Sequence, residues 1–374
     1  MENKELRILH IDIERGWRGG QQQALYLHSR LTSENYFSLM ICRKNSEMEK
    51  RCKKNKLAVK PFAFFGEMDF LFVVKLLLII EKEKINIVVA HSSHSITPIL
   101  FAKLFKRKIK LIAVRRVDFP IGKNYLSTWK YNTELLDRIV CVSDFIKDVI
   151  SLNDVIRKKS MTIRSGIDLN RNRVKSDKIT LKHKFKVPLN FQIVGTIAAF
   201  AGHKDYPTLI KAIQFVVKEI KNIIFIFVGD GKLMIDMISL AKQLNVVDYI
   251  RFEGFKENIS EYLNLFDIFV LSSKKEGLGS SILDAQSCGL PIISTKTGGI
   301  PEIIKDGFNG ILVEPQNPKM LAEAIIKLYN DDELKKRLSE NALTSVKEFD
   351  INITYSKYLQ LFNDLVHDSN TRIK

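Results

Sequence analysis

The sequence predicts an α/β protein made of two doubly wound domains, each with a parallel sheet, that face each other across a cleft. Short aliphatic runs alternate with longer helix-period segments along most of the 374 residues, a length that suits two or three domains. The runs are continuously apolar, which is typical of strands buried on both faces of a parallel sheet. One polar, basic stretch at residues 171–190 interrupts the alternation.

The first domain is predicted to occupy residues 1–170. Five aliphatic runs in this part predict strands at residues 7–13, 37–42, 85–90, 110–115 and 138–142. The stretch at residues 171–190 has neither a helix period nor a strand period, and it contains Pro188. We therefore expect a linker there.

The second domain is predicted to occupy residues 191–374. Six further runs predict strands at residues 191–197, 223–228, 249–252, 268–271, 291–294 and 310–313, with helices such as 207–217 and 231–244 between them. A last helical segment at residues 353–366 has no strand after it. The sequence leaves open which domain this helix packs on.

The positive charge is concentrated in the first half of the chain. The whole chain carries 59 Lys and Arg against 42 Asp and Glu, but residues 1–190 have a net charge of +19 and residues 191–374 one of −2. The first domain is therefore expected to face an anionic partner. No nucleic-acid-binding signature accompanies the charge, so we expect no nucleic acid and favour an anionic membrane surface or a phosphate-linked lipid.

Three basic clusters carry much of this charge, at residues 51–60, 103–110 and 171–186. The phenylalanines of residues 62–72 follow the first cluster, and aromatic residues beside lysines suit attachment to a membrane surface. The alternative is a buried strand and helix with a solvated basic rim.

The cysteines and the apolar runs predict a cytoplasmic protein. The four cysteines show no Cys-x-x-Cys spacing, which favours a reducing compartment and speaks against a structural metal site. The N-terminus has no apolar signal region, and the longest apolar run is far shorter than the roughly 20 residues that span a bilayer. Membrane contact is therefore expected only at the surface, on the inner face of the plasma membrane.

The loop after the first predicted strand is suited to an anionic ligand. Gly19 and Gly20 stand where a helix begins, so backbone N–H groups can approach a phosphate, and Arg18 precedes them. A tight turn without a ligand is the alternative, since glycine-rich first turns are common in α/β folds.

The segment from residue 271 to 304 carries the strongest functional pattern. A strand ends in a polar loop with Glu276, a glycine turn follows, and a helix begins at Ser280 with Asp284 one turn further on. The N–H groups of Leu278, Gly279 and Ser280 would bind phosphate, and the two carboxylates would accept from hydroxyls. Together these groups predict a sugar-nucleotide site.

This segment resembles the signature of the retaining, nucleotide-sugar-dependent glycosyltransferases of family 4, which have the two-domain GT-B architecture. The family pattern is two glutamates separated by seven residues, and here Asp284 stands in place of the second. Motifs in the family's order extend over nearly the whole chain, most densely from residue 191 to 320. The resemblance implies that Glu276 holds the hydroxyls of the donor sugar and Asp284 those of the ribose.

The resemblance also assigns roles to other residues. It places His91 close to the donor sugar and directs Lys204 at the diphosphate, whereas Thr196 stands where the family commonly has an arginine. We expect Arg18, on the opposite domain, to replace that arginine. The nucleotide base is expected to be read largely by backbone around Phe255.

Two adjacent arginines are candidates for acceptor binding. Arg115 and Arg116 follow a predicted strand, where they could bind an acceptor phosphate or pair with Asp118. His94 is expected to be a loop residue or a contact at a helix start.

The resemblance implies a metal-independent transferase without a cofactor. Its donor would be a UDP- or GDP-sugar and its acceptor a glycan or a lipid-linked sugar, in the synthesis of cell-envelope polysaccharide or lipopolysaccharide. The alternatives are another GT-B sugar-nucleotide enzyme such as an epimerase and, more distantly, a basic nucleic-acid-binding protein.

Overall fold

The chain folds into two compact α/β units. The structure is a computed structural model that describes residues 5–119, 121, 125–151 and 153–371. The first unit contains the chain up to Ser165 together with the residues from Ile351 onward, and the second contains Gly166–Asp350. Each unit has one parallel sheet with helices between its strands, which confirms the predicted doubly wound α/β class.

The first unit has a seven-stranded parallel sheet in the order β3-β2-β1-β4-β5-β6-β7. Its strands are β1 (Arg7–Asp12), β2 (Phe37–Arg43), β3 (Val59–Phe62), β4 (Ile87–Ala90), β5 (Lys110–Arg115), β6 (Arg138–Cys141) and β7 (Ser160–Thr162). The central strands are almost wholly buried, as continuous apolar runs predict.

Helices connect these strands on both faces of the sheet. They are α1 (Gly19–Ser33), α2 (Glu47–Lys54), α3 (Phe70–Lys82), α4 (Ser93–Phe105), α5 (Tyr125–Asn132), α6 (Asp144–Ile150) and α7 (Asp154–Lys159). Strand order reverses direction after β3, so right-handed crossovers put α1 and α2 on one face and α3, α4 and α5 on the other. Helices α3 and α4 accordingly pack against each other.

The second unit has a six-stranded parallel sheet in the order β10-β9-β8-β11-β12-β13. Its strands are β8 (Gln192–Ile197), β9 (Ile223–Val228), β10 (Ile250–Gly254), β11 (Ile268–Leu271), β12 (Ile292–Thr295) and β13 (Ile311–Val313). Its helices are α8 (Lys178–Lys184), α9 (Tyr206–Glu219), α10 (Met234–Gln243), α11 (Ser260–Leu265), α12 (Ser280–Ser287), α13 (Pro318–Asn330) and α14 (Asp332–Ser345).

The last helix, α15 (Ile351–Thr371), belongs to the first unit. The Tyr355 hydroxyl donates to the Glu34 carboxylate over 2.7 Å, and the Thr354 hydroxyl donates to the Arg164 carbonyl over 2.9 Å. The helix is longer than the predicted segment at residues 353–366.

The predicted linker at residues 171–190 is wrong. These residues lie in the second unit and include α8. The buried Lys182 amine donates to the carbonyls of Leu189 and Phe191, and Lys178 pairs with Asp267 over 2.6 Å. Lysines that suggested a solvated linker therefore tie α8 to the second sheet.

The observed division also changes the charge balance of the two parts. The first unit holds 34 basic and 19 acidic residues, and the second holds 25 and 23. The net charges are thus +15 and +2, so the excess remains in the first unit.

Strands β3 and β7 were missed by the sequence analysis. Both lie at edges of the first sheet and have only four and three residues. Strand β3 also contains Lys60 and Pro61. Short edge strands with lysine or proline are a common protection against aggregation, and they lack the apolar run that reveals a central strand.

The described residues lack two features. No helix in the described ranges combines the length and the apolar character needed to cross a membrane. No group of three or more His, Cys, Asp or Glu side chains in the same ranges is arranged to hold a metal ion.

Gly195 in β8 tests how closely the second unit is packed. A Cβ at this position would lie 2.1 Å from the ring of the fully buried Phe266. We expect Gly195→Ala to lower the free energy of unfolding by about 1–3 kcal/mol, measured by urea unfolding, because the ring has no room to move. Gly202→Ala is the control, since a Cβ there meets nothing within 4 Å. Equal stability of the two variants would contradict the packing.

Candidate active site

Lys204 and Glu276 are brought together at the carboxyl edge of the second sheet. Lys204 follows β8 and Glu276 follows β11, the strand beside it. The Lys204 amine forms an ion pair with the Glu276 carboxylate, which also accepts from the Ser273 hydroxyl over 3.1 Å. Each side chain of the pair is 14% exposed. The side chain predicted to bind the diphosphate and the side chain predicted to bind the sugar therefore lie in contact with each other.

The loop after β11 holds Lys204 in position. The Ser272 hydroxyl donates to the carbonyls of Lys204 and Asp205 over 3.0 and 3.2 Å. The Lys274 N–H donates to the His203 carbonyl over 2.9 Å. Asp205 has a positive φ of 50°, so the chain turns sharply there into α9. These bonds fix the backbone from which the Lys204 side chain extends.

Two glycines let neighbouring loops approach this site. A Cβ on Gly298 would lie 1.8 Å from the Glu276 carbonyl oxygen, and the Gly299 N–H donates to that same oxygen over 3.1 Å. A Cβ on Gly229 would lie 2.0 Å from the Ala198 carbonyl oxygen. Any side chain at positions 298 or 229 would displace the loops that carry Glu276 and Lys204.

Thr196 is buried beneath this edge. Its side chain interacts with Tyr206, whose hydroxyl donates to the Ala198 carbonyl over 2.8 Å. The Tyr206 ring stacks on Phe200 with the ring centroids 4.1 Å apart. The residue in place of the family's arginine is thus part of a packed aromatic cluster.

Asp284 lies on α12 with both carboxylate oxygens engaged. Arg171 donates to one over 2.7 Å and the Asn172 amide donates to the other over 3.0 Å. Burial raises the pKa of Asp284, and the Arg171 guanidinium opposes this shift. The ribose contact of Asp284 stays a prediction, and any ligand there competes with these two partners. The sequence analysis missed both partners because they lie in the predicted linker.

The other predicted donor residues lie at the same edge. Phe255 follows β10 and is 54% exposed. Gly279 precedes α12 with a φ of 99°, a conformation that favours glycine. Leu278 is buried, and Ser280 is the partly exposed first residue of α12. The backbone N–H groups of this turn start the helix, as expected for a phosphate contact.

In the first unit, Asp12 organises the loop between β1 and α1. Its carboxylate accepts from the Glu14 N–H over 3.0 Å and from the Gln21 amide over 3.1 Å. The side-chain Oε1 of Gln21 in turn accepts from the Arg18 N–H over 3.1 Å. Arg18 itself is exposed immediately before α1, and Gly19 and Gly20 are the first two residues of the helix.

Gly20 leaves room for Arg116. A Cβ at position 20 would lie 2.8 Å from the Arg116 Cδ. The Arg116 Nη2 donates to the His91 Nδ1 over 3.2 Å, while its Nε has no hydrogen-bond partner among the described residues. Burial lowers the pKa of Arg116, and nearby Tyr358 and Asp12 oppose this shift. The guanidinium is therefore a largely buried cation with donor capacity to spare.

Arg115 has a different environment from its neighbour. It is buried and donates to the Tyr131 hydroxyl over 3.3 Å and to the Phe119 carbonyl. In the described residues, these acceptors bind the two Nη groups of Arg115, so neither the predicted phosphate contact nor the alternative pairing with Asp118 is observed for it. Of the two predicted acceptor residues, Arg116 is the one beside a small cavity.

That cavity lies within the first unit. It is bounded by the ends of β4 and β5, by α1 and by α15, and its lining includes His91, Arg116, Gln23, Tyr355 and Tyr358. Its lining combines apolar side chains, such as Leu27, Ile163 and Ile351, with the guanidinium of Arg116 and the imidazole of His91. The guanidinium is the group in this cavity that would suit an oxyanion.

Three buried histidines lie behind it. The His91 Nε2 is 3.0 Å from the His10 Nδ1, and the His10 and His28 ring centroids are 5.6 Å apart. Burial lowers the pKa of His10 and of His91 well below the usual value, and that of His28 to about 4. His10 and His28 were missed by the sequence analysis. The one sign of them in the sequence is that each is a polar residue within an apolar strand or on the apolar face of a helix.

His94 is a contact at the start of α4, as one of its alternatives predicted. Its Nδ1 is 2.7 Å from the carboxylate of Glu67, which also pairs with the buried Lys130. Glu67 thereby joins the loop before α3 to α4 and α5.

Two family models match the chain in succession. The model described as Glycosyltransferase Family 4 matches residues 17–171, and the model described as Glycosyl transferases group 1 matches residues 177–344. Together they cover parts of both units.

Relatives and solved structures match over most of their length. An uncharacterized glycosyltransferase of Methanocaldococcus jannaschii is 30% identical over 74% of this chain and 73% of its own. The UDP-Gal:alpha-D-GlcNAc-diphosphoundecaprenol alpha-1,3-galactosyltransferase of Escherichia coli is 23% identical over 97% and 98%. The structure of Anabaena HepE in complex with UDP-glucose aligns with a TM-score of 0.86 at 18% identity, over 96% of this chain and 100% of that one. This last likeness shows the fold.

The buried histidines predict that stability falls with acid. An unfolded histidine binds a proton near pH 6.5, whereas folded His28 stays neutral down to about pH 4. The unfolded state therefore gains protons first, and the protein loses stability as pH falls through this window. We expect about 1.4 kcal/mol less stability at pH 5.5 than at pH 7.5 for each such histidine, measured by urea unfolding.

The variant His28→Gln isolates one of these contributions. It should remove about 1.4 kcal/mol of the difference between the two pH values. His183→Gln is the control because His183 is exposed on α8, and it should leave the pH dependence as it is. The same pH dependence in wild type and His28→Gln would show that His28 titrates normally.

Proposed function

The chain belongs to the glycosyltransferases of family 4, and from that premise we propose that it transfers a sugar from a nucleoside-diphosphate sugar with retention of configuration and without a metal. The observation that carries this proposal is the Lys204–Glu276 pair at the carboxyl edge of the second sheet. Ligands of open parallel sheets bind at that edge.

The ion pair explains how the donor is received. Bound diphosphate replaces the Glu276 carboxylate as the partner of the Lys204 ammonium group. The released carboxylate then accepts from hydroxyls of the donor sugar, with the Ser273 hydroxyl still in place to orient it. As the diphosphate leaves, its growing negative charge is stabilised by Lys204 and by the N–H groups near Gly279. Each such hydrogen-bond donor is worth a factor of about 10²–10³ in rate. Arg18 would add a second cation from the first unit.

Retention follows from how the acceptor approaches. We infer that the acceptor hydroxyl attacks the sugar on the face that the diphosphate is leaving, and that the leaving phosphate takes the proton. No covalent glycosyl intermediate is invoked. The cation Lys204 supplies the charge that a metal would otherwise bring, so the reaction needs none.

The donor is proposed to be a UDP-sugar, with a GDP-sugar as the alternative. The crystal structure of the similar Anabaena protein is a complex with UDP-glucose. The exposed Phe255 ring beside β10 is available to the base, whose identity its neighbouring backbone would read.

The acceptor is proposed to carry an oxyanion that binds Arg116. Arg116 lines the cavity, its buried Nε–H has no hydrogen-bond partner within the described ranges, and a guanidinium suits phosphate or carboxylate. The similar Escherichia coli enzyme acts on a diphospholipid-linked sugar, so we place this protein in cell-envelope polysaccharide or lipopolysaccharide synthesis. Both nitrogens of His91 are engaged, so we propose that His91 serves transfer without moving a proton.

We also propose that the first unit binds an anionic membrane surface, from the cytoplasmic side. The surface consists of α3, the loop before it and the end of α4. Its exposed apolar side chains are Phe65, Phe70, Leu71, Val74, Leu78 and Phe105. Lys75, Arg107 and Lys108 are exposed on the same elements. Apolar side chains flanked by basic ones suit the interface of an anionic bilayer.

This surface differs from the one that the sequence suggested. The basic cluster at residues 51–56 lies mainly on α2, which right-handed crossovers put on the other face of the sheet from α3. Arg51 stacks on Trp17, and Lys53 pairs with Glu49. The apolar residues of α3 are instead accompanied by Arg107 and Lys108, which are exposed directly after α4, whereas Lys103 of the same cluster is buried and pairs with Asp137.

The alternative functions receive less support. Both family models and the named relatives describe transferases, which does not favour an epimerase. A nucleic-acid-binding role would rest on charge alone.

A donor screen with Lys204 variants tests the proposed function. We expect purified protein to transfer sugar from one UDP- or GDP-sugar to a diphospholipid-linked acceptor in EDTA, with the α-anomer of the donor retained in NMR spectra of the product. Lys204→Met should lower kcat by about 10²-fold or more, because the leaving diphosphate loses its cation. Lys211→Met on the exposed side of α9 is the matched control. Inversion, or a requirement for a divalent cation, would contradict the proposal.

Flotation with vesicles tests the membrane surface. The double variant Leu71→Gln and Leu78→Gln should bind phosphatidylglycerol vesicles about tenfold more weakly than wild type, because two exposed leucines leave the interface. The control is Ile235→Gln with Leu343→Gln, which removes two exposed aliphatic side chains from the second unit. Equal flotation of the two double variants, or none by wild type at low salt, would overturn this surface.

A further inference from the structure

A stack of imidazole rings crosses the buried centre of the first unit. His10 lies in the middle of β1, His91 directly follows β4, and the two rings stack with their centroids 5.2 Å apart. His28, on α1, tilts against the other side of His10. His10 and His28 are fully buried, and His91 is 4% exposed. Three imidazoles in an apolar interior cost folding free energy unless they are hydrogen-bonded, because each one takes the place of a hydrocarbon side chain.

The hydrogen bonds of this stack have one possible direction. A guanidinium only donates, so the Nδ1 of His91 must accept from Arg116. The proton of neutral His91 is then on Nε2, from which it is donated to the Nδ1 of His10 over 3.0 Å. His10, accepting at Nδ1, carries its own proton on Nε2. Both bonds of His91 therefore require its Nε2–H tautomer, and the bond to His10 requires the Nε2–H tautomer of His10 as well.

The third histidine does not compete for these bonds. The Nε2 of His28 donates to the Ala58 carbonyl over 3.0 Å, and its Nδ1 accepts from the Ser38 hydroxyl over 2.6 Å. The Nε2 of His10 has no hydrogen-bond partner among the described residues. The chain therefore begins at Arg116 and ends at His10. Burial also lowers the pKa of His10 and His91, so the neutral forms that this chain requires are the stable ones.

We propose that His10 is a positioning residue for glycosyl transfer. Its Nδ1 lone pair holds His91 in the Nε2–H tautomer, which leaves the Nδ1 of His91 free to accept from Arg116 and so fixes the guanidinium beside the cavity. The proposal deepens the proposed function, since it depends on Arg116 as the site of the acceptor oxyanion.

The consequence of losing that lone pair is specific. Without an acceptor at position 10, the Nε2–H of His91 would be buried and unpaired. Moving the proton to Nδ1 would point an N–H group at the N–H groups of Arg116, and two donors facing each other cannot bond. Either outcome detaches Arg116 from the strand end that holds it.

Two substitutions of equal shape separate this role from simple packing. His10→Asn keeps an acceptor, because the side-chain oxygen of asparagine is attached to Cγ as the Nδ1 of histidine is. His10→Leu has the same branching at Cγ but no lone pair. Both leave the same space beside His28, so a role in packing alone would affect them alike.

The direct test is the tautomer of His91 in ¹⁵N-labelled protein. Two-bond ¹H–¹⁵N correlation spectra identify which ring nitrogen carries the proton, and His91→Asn serves only to assign the signals. We expect the Nε2–H tautomer in wild type and in His10→Asn, and its loss or a mixture of tautomers in His10→Leu. A proton on the Nδ1 of His91 in wild type would overturn the proposal, as would an unchanged spectrum in His10→Leu.

The kinetic test uses the donor and acceptor that the transfer screen identifies. We expect kcat of His10→Leu to be about tenfold or more below that of His10→Asn, with the donor KM changed little. His183→Asn is the control for removing a histidine, because His183 lies at an exposed position of α8. Equal kcat values for the two His10 variants would overturn the positioning role. If wild type transfers no sugar, the proposed function fails, and the NMR result still decides the tautomer.

Discussion

The ion pair between Lys204 and Glu276 is the interaction on which the account of this protein depends. It joins residues 72 positions apart because β8 and β11 are neighbours in a parallel sheet and both end at the same edge. The surrounding loops are built to keep it there: Ser272 holds the backbone of Lys204, and Gly298 lets a neighbouring loop rest on the backbone of Glu276. The two charges form an ion pair with each other, and the proposed function has each exchange this partner for a part of the sugar nucleotide.

The first unit keeps the cation Arg116 largely buried, although no carboxylate of the described residues forms an ion pair with it. Arg116 is held by an imidazole, and the space for its side chain exists because residue 20 is glycine. Burial lowers the pKa of Arg116, and Asp12 lies close enough to oppose this shift, but the oxygens of Asp12 accept from the Glu14 N–H and from Gln21. The result is a guanidinium that is fixed in place and still has capacity for an anion. The net charge of +15 on this unit likewise favours the anionic partners proposed for it, a phosphate-bearing lipid and an anionic surface.

The sequence predicted the parts of this structure that depend on long apolar runs and on local motifs. The strands at residues 110–115, 223–228 and 268–271 agree with the structure residue for residue, and Lys204 and Glu276, singled out from their motifs, lie in contact with each other. The errors about the linker and the buried polar groups share a physical cause, because they involve partners distant in the chain. Lys178 looks solvated until Asp267 is placed beside it, and Arg171 looks like part of a linker until it meets Asp284. His10 looks like an exception in an apolar strand until His91 and Arg116 are placed beside it.

The most direct test of the central claim compares UDP with UMP as ligands in isothermal titration calorimetry. If Lys204 exchanges Glu276 for the diphosphate, the second phosphate should strengthen binding to wild type by about tenfold or more, and this increment should vanish in Lys204→Met. GDP and GMP replace the uridine nucleotides if the donor screen selects guanosine. An increment of the same size in wild type and Lys204→Met would contradict the account, because the diphosphate would then be bound elsewhere.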